Sequence, residues 1–141
     1  MSGMKRVLLA VNDSDASARA VPVARDLARN NGSEVLVLHV RDKEICCKGQ
    51  GWEKPMTCTP DELVSDLVTE LRAAGVDASG EVHSSLNHRE ADEILATAEH
   101  FDADVIVAGY RRPRLSLSLL FEKPTGQKIA ERARRPLLLV P

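Results

Sequence analysis

The chain contains 141 residues and carries 19 basic against 21 acidic side chains, a formal net charge of −2. This length suits one domain, which we expect to span residues 1–141, and the near-zero charge argues against non-specific nucleic-acid binding. With 43% hydrophobic and 28% charged residues, and no apolar run close to the roughly 18–20 residues that cross a bilayer, the composition excludes disordered, fibrous and membrane-spanning classes.

The cellular compartment follows from two local features. The first apolar stretch, Val7–Val11, is too short for a signal peptide and lacks a small-residue cleavage site. The cysteines are odd in number and include the adjacent pair Cys46 and Cys47, which argues against a secreted disulfide framework. We therefore expect a cytoplasmic protein.

Short apolar runs alternate along the chain with longer segments of helical periodicity. Four near-continuous apolar runs are predicted strands: Val7–Val11, Val35–Val40, Val105–Ala108 and Leu137–Val140. Runs without polar alternation indicate strands covered on both faces, as in a parallel sheet. A fifth strand is predicted at Ser79–His83, and we expect it at a sheet edge because Val82 is its one strong β-former.

Four helices are predicted between these strands. The first runs from Asp15 to Asn31 and contains Pro22, which we expect to bend the helix or to mark its first turns. The second has the clearest start, because Thr59, Pro60 and Glu62 supply a capping hydroxyl, a first-turn proline and the acid of a capping box.

The third helix is predicted to open at Asn87, with Glu90 three residues on, and the fourth to begin near Pro124. The resulting β-α-β-α-β-α-β-α-β order, with right-handed crossovers, indicates a doubly wound α/β fold with helices on both faces of one parallel sheet. Ligands of such folds bind beyond the carboxyl ends of the strands, where the strand order reverses.

Standard site motifs do not occur in the sequence. There is no G-x-x-x-x-G-K-(S/T) loop, no G-x-G-x-x-G after the first strand and no G-x-S-x-G elbow. The four histidines are not paired at ligand spacing, so we predict no metal site.

Four segments, taken together, carry a family resemblance: Arg6–Ser14, Glu34–Val40, Ala103–Arg111 and Arg135–Val140. In this order and spacing they resemble the universal stress protein family over nearly the whole chain. The resemblance implies a small α/β homodimer made under stress or growth arrest. The predicted fold is accordingly a five-stranded parallel sheet in the order 3-2-1-4-5.

Many members of that family bind ATP through a Gly-x2-Gly-x9-Gly-(Ser/Thr) loop after the fourth strand. Under the resemblance, Gly109 matches the first glycine and Arg112 stands in the place of the second. The third glycine and its hydroxyl neighbour fall within residues 122–124. Asn12 replaces the family's adenosine-side aspartate.

These departures predict weak or absent ATP binding. Arg112 places a bulky side chain where the phosphate approaches, and Pro124 has no N–H to donate. Losing two charge-assisted contacts of about 1.5–3 kcal/mol each weakens binding by roughly 10²–10⁴-fold.

A nucleotide site that uses Arg111 and Arg112 in place of the glycine loop is the alternative, and a solvated basic loop is the simpler account of these residues. Ala10 and Val40 match family positions that line the base pocket. The complete set of candidate nucleotide-binding residues is Ala10, Asn12, Ser14, Val40, Gly109, Arg111, Arg112, Lys123 and Thr125. The ligand for this alternative is ATP, ADP or AMP.

Two further hypotheses concern other residues. A redox switch or soft-metal site at Cys46, Cys47 and Cys58 is one, although free loop cysteines are the favoured interpretation. A small hydrolase or phosphotransferase using Asp13 and Ser14 is the other. Nothing in the sequence supplies an activating base near Ser14, which is more typical of a helix cap.

The favoured interpretation is a non-catalytic stress-response or regulatory module that needs no cofactor. We expect a homodimer, because the last strand is an apolar edge that invites pairing and the resemblance places the dimer contact there. The expected interface residues are Leu137, Leu138, Leu139 and Val140. The expected partners are a second copy, an adenine nucleotide under the alternative and an unidentified protein, but neither nucleic acid nor membrane.

Overall fold

A computed structural model of the chain describes residues 3–12, 15–43, 59–86, 89–110 and 125–141. Strands and helices alternate through these residues with the bounds β1 Arg6–Ala10, α1 Asp15–Asn31, β2 Glu34–Lys43, α2 Pro60–Ala73, β3 Asp77–Leu86, α3 Glu90–Phe101, β4 Val105–Gly109, α4 Thr125–Arg132 and β5 Leu137–Val140. None of the helices within these ranges is both long and apolar enough to cross a membrane.

The five strands form one parallel sheet in the order β3-β2-β1-β4-β5, which confirms the predicted topology. Val7 of β1 pairs with Val35 of β2 on one side and with Val105 of β4 on the other. The chain therefore winds outward from β1 in both directions. The carboxyl ends of β1 and β4 consequently mark the point where the strand order reverses.

Two apolar layers cover the sheet. Val7 and Leu9 point towards α1 and α2, whereas Leu8 and Ala10 point towards α3 and α4. Because both faces are buried, alternate residues of β1 are equally apolar, and this explains the continuous runs seen in the sequence. On α1, Ala20, Ala24 and Ala28 are almost fully buried and allow this helix to approach the sheet closely.

Local start signals predict α2 correctly. The Thr59 hydroxyl accepts a hydrogen bond from the Glu62 amide, and the Glu62 carboxylate accepts one from the Thr59 amide, both at 3.2 Å. The predicted bounds of α1 also hold. Pro22 lies well inside α1 rather than in its first turns.

Some predicted boundaries differ from the observed ones. The helix α3 begins at Glu90, with Arg89 as an N-cap that makes no side-chain cap bond, rather than at Asn87. The edge strand β3 runs from Asp77 to Leu86 instead of Ser79 to His83, because β2 offers it a backbone partner from Glu34↔Asp77 through Lys43↔Leu86. The backbone of the neighbouring strand, and not β-propensity, sets the length of β3.

Candidate functional site

A crevice of about 70 Å³ opens beyond the carboxyl ends of β1 and β4, between the sheet and the helices α3 and α4. This is the position where doubly wound folds bind their ligands. The described residues that line it are Ala10, Val11, Asn12, Ser17, Leu38, Val40, Glu90, Ile94, Ala108, Gly109, Thr125, Gly126 and Ile129.

Five of the candidate residues named from the sequence meet in this crevice: Ala10, Asn12, Val40, Gly109 and Thr125. The other four candidates, Ser14, Arg111, Arg112 and Lys123, lie outside the described residues. Asp13 and the three cysteines lie outside them as well. Of the part of the chain that the structure describes, no group of three or more His, Cys, Asp or Glu is placed to hold a metal ion.

Apolar side chains form the floor of the crevice. Ala10, the last residue of β1, pairs with Ala108, the residue before the end of β4, and each is less than one-tenth exposed. Leu38 of β2 continues the same surface. Small side chains at the strand ends leave space above the backbone, so this floor suits a planar or apolar group.

Hydrogen bonds hold the polar rim after β1 in place. The Asn12 amide donates to the buried Ser17 hydroxyl at 2.8 Å, which ties this turn to the start of α1. The Val11 amide donates to the Leu38 carbonyl at 2.8 Å. The His39 ring contacts the Val11 carbonyl through Nδ1 at 2.8 Å, and Nδ1 must carry the proton because the carbonyl only accepts.

Gly109 brings the helix α1 into direct contact with the end of β4. A Cβ added at this position would lie 2.5 Å from the Ser17 amide nitrogen and 2.6 Å from the Ala16 carbonyl oxygen. Both atoms belong to the backbone and have little freedom to move. Packing alone therefore requires glycine here, whatever the residue contributes to a ligand.

The opposite rim joins the first residues of α3 and α4. The Thr125 hydroxyl donates to the Glu90 carboxylate at 3.1 Å, and both side chains are partly buried. From the sequence alone, Glu90 is interpreted only as a helix-start residue, and Ser17 is not among the candidates. Their signal was weak, because an acid in a first helical turn and a serine in a helix are common without any ligand.

Comparisons with known proteins agree with this architecture. The profile of the Universal stress protein family matches residues 3–141, and the chain belongs to this family. It is 25% identical to the stress response protein NhaX of Bacillus subtilis, with 96% of each chain covered.

Solved structures of the family share the fold. A universal stress protein from Archaeoglobus fulgidus is 23% identical, with a TM-score of 0.70 over 97% of this chain and 93% of that one. Another from the same organism, in complex with dAMP, is 22% identical, with a TM-score of 0.67 over the whole of both chains. A family protein from Arabidopsis thaliana with AMP bound is 17% identical, with a TM-score of 0.67 over 96% of this chain and 90% of that one.

Proposed function

We propose that this protein is a non-catalytic stress-response or regulatory module whose crevice binds adenine nucleotides weakly. Family membership and the likeness to a stress response protein support the stress role. The dAMP and AMP of the related structures share an adenosine-type moiety, which supports an adenine compound as the ligand class.

The observation that carries this proposal is the convergence of the candidate residues at the switch point of the sheet. Ala10 and Val40 lie beside the apolar floor, which offers a surface for a base. Asn12, Thr125 and Gly126 supply neutral polar groups around it. Small-molecule sites combine apolar side chains with a few convergent polar groups, and this crevice has both.

Weak affinity follows from size and from the loop sequence. The crevice volume of about 70 Å³ is well below the roughly 300–1,000 Å³ of common ligand pockets. Arg112 puts a bulky side chain where a glycine would let a phosphate approach, and Pro124 has no backbone N–H to donate to it. An adenine nucleotide therefore binds with little help from its phosphates.

The test is a calorimetric titration of the intact chain with ATP, ADP and AMP in the presence of Mg²⁺. We expect dissociation constants near or above about 100 μM, equivalent to roughly −5.5 kcal/mol. Replacing Arg112→Gly should raise ATP affinity about tenfold or more, whereas the matched control Arg114→Gly leaves it unchanged. Nanomolar ATP binding to the unmodified protein would contradict the proposal.

The absence of catalysis is tested with the same ligands. Prolonged incubation with ATP and Mg²⁺ should release no more ADP or phosphate than buffer alone. Steady product formation that disappears in Ser14→Ala would instead favour the hydrolase hypothesis.

We also propose that the protein acts in the cytoplasm as a homodimer joined through β5. This strand pairs with β4 on one side and ends the sheet, and Leu138 is 40% exposed. Strand pairing with a second copy would cover both the open backbone and this leucine. An unidentified protein partner is part of the same regulatory role.

A further inference from the structure

The rim formed by α3 and α4 places an acid beside the ligand crevice. Glu90 is the first residue of α3 and Thr125 the first of α4, and the Thr125 hydroxyl donates to the Glu90 carboxylate at 3.1 Å. Both residues line the crevice. The carboxylate is thus held in position rather than turned out to solvent.

The charge of the described part of the lining is unbalanced. Among the described residues that line the crevice, Glu90 is the one side chain with a formal charge, and the rest are apolar or neutral polar groups. A negative charge in a partly buried crevice repels a second one at a distance of a few ångströms much more strongly than it would in water. The N-terminus of α4 would otherwise attract an anion. The Glu90 carboxylate already lies beside the first residue of this helix.

We propose that Glu90 sets the charge preference of the crevice, so that a neutral adenine nucleoside binds in preference to its phosphorylated forms. The carboxylate acts as an internal anion beside the first residue of α4, where the helix N-terminus would otherwise attract a phosphate. This inference rests on the proposed function, because it takes adenine compounds as the ligand class. It also specifies which of the adenine compounds the crevice binds most tightly.

The experiment compares adenosine with AMP in calorimetric titrations of the full chain and of Glu90→Gln. The glutamine keeps an oxygen that accepts the Thr125 hydrogen bond and removes the charge. We expect AMP affinity to rise about tenfold to hundredfold while adenosine affinity stays within about twofold. Glu90→Ala should give the same shift, because it also removes the charge.

Two controls separate local charge from other effects. Glu70→Gln makes the same change of net charge on an exposed position of α2, which packs on the other face of the sheet, and should leave the AMP-to-adenosine ratio unchanged. Raising the NaCl concentration from about 50 to 500 mM should bring the affinities for AMP and adenosine closer together in the unmodified chain but not in Glu90→Gln.

The outcomes distinguish the inference from the proposed function. Binding of adenosine with an unchanged AMP-to-adenosine ratio in Glu90→Gln and Glu90→Ala overturns the inference and leaves the ligand class intact. Failure of all these proteins to bind either compound overturns both proposals.

Discussion

Two separate constraints act on Gly109. The family resemblance assigns it to a phosphate-binding loop, while the structure gives it a packing role against the backbone of α1. The contact involves Ser17, whose hydroxyl also fixes the turn at Asn12. A side chain at position 109 would therefore disturb the crevice through α1 even without touching a ligand.

We predict that Gly109→Ala destabilises the protein by about 1–3 kcal/mol, the usual cost of forcing extra volume into a packed site. Urea unfolding followed by circular dichroism measures the change. Gly126→Ala is the matched control, because its added Cβ would meet side-chain atoms of Tyr110 and Leu139 at 3.3 and 3.4 Å, which can shift. An equal loss of stability in the two variants would argue against the backbone clash.

At the level of elements, His83 links the edge strand β3 to the helix α3. Its Nδ1 lies 2.8 Å from the Glu93 carboxylate of α3, and its Nε2 lies 3.1 Å from the Glu81 carboxylate of β3. The Thr97 hydroxyl lies 3.3 Å from Nδ1 and donates to the Glu93 carbonyl. Burial by itself lowers the pKa of His83, but the hydrogen bonds and charges of Glu81 and Glu93 outweigh burial and raise the pKa above its ordinary value.

This raised pKa predicts a pH-dependent contribution to stability. Because the folded state binds the His83 proton more tightly than the unfolded state, the contribution is complete below about pH 6.5 and is lost as the pH rises through the raised folded pKa. His83→Gln should thus destabilise the chain more at about pH 6 than at about pH 8.5. The comparison is made by urea unfolding at both pH values.

The control for this prediction is His100→Gln, a substitution at an exposed position near the end of α3. Its loss of stability is compared with that of His83→Gln at the same two pH values. A His83→Gln penalty that is the same at both pH values would contradict the charged link between β3 and α3.

Some features of the helices and strands depend only on residues that are close together in the sequence, and others depend on a neighbouring element. The α2 capping box could be predicted because Thr59 and Glu62 lie three residues apart and satisfy each other's amides. The full length of β3 could not, because most of its residues are polar or small and their pairing depends on the backbone of β2. The start of α3 was misplaced for a related reason, since it has no side-chain cap that a sequence pattern would show.

For the assembled molecule, the exposed leucines at the two sides of the sheet provide a direct test of association. Leu138 of β5 is 40% exposed and Leu86 of β3 is 50% exposed. If β5 forms the dimer contact, Leu138→Lys should convert the protein to a monomer, because a charge would be buried beside the paired strands. Analytical ultracentrifugation of the unmodified chain and the variant measures this.

Leu86→Lys is the matched control, because it makes the same substitution at the opposite edge strand. It should leave the dimer intact. A monomeric unmodified chain, or dissociation by Leu86→Lys alone, would contradict association through β5.

Much of this architecture is encoded locally. Apolar runs mark strands buried on both faces, and short-range caps mark helix ends, because these signals depend on residues within about one helical turn or one strand. Their alternation, the handedness of crossovers and the family resemblance together predicted the strand order. The same information located Ala10, Asn12, Val40, Gly109 and Thr125 near one crevice, because the carboxyl ends of neighbouring parallel strands share an edge.

The contacts that give the crevice its character arise only when distant segments meet. Glu90 and Thr125 are 35 positions apart, and neither residue's neighbours in the chain reveal that they hydrogen-bond. The contact of Gly109 with α1 and the carboxylate pair around His83 also join separate elements. Periodicity in the sequence indicates which face of a helix or strand a side chain lies on. Which residue that side chain contacts depends on how the helices pack against the sheet.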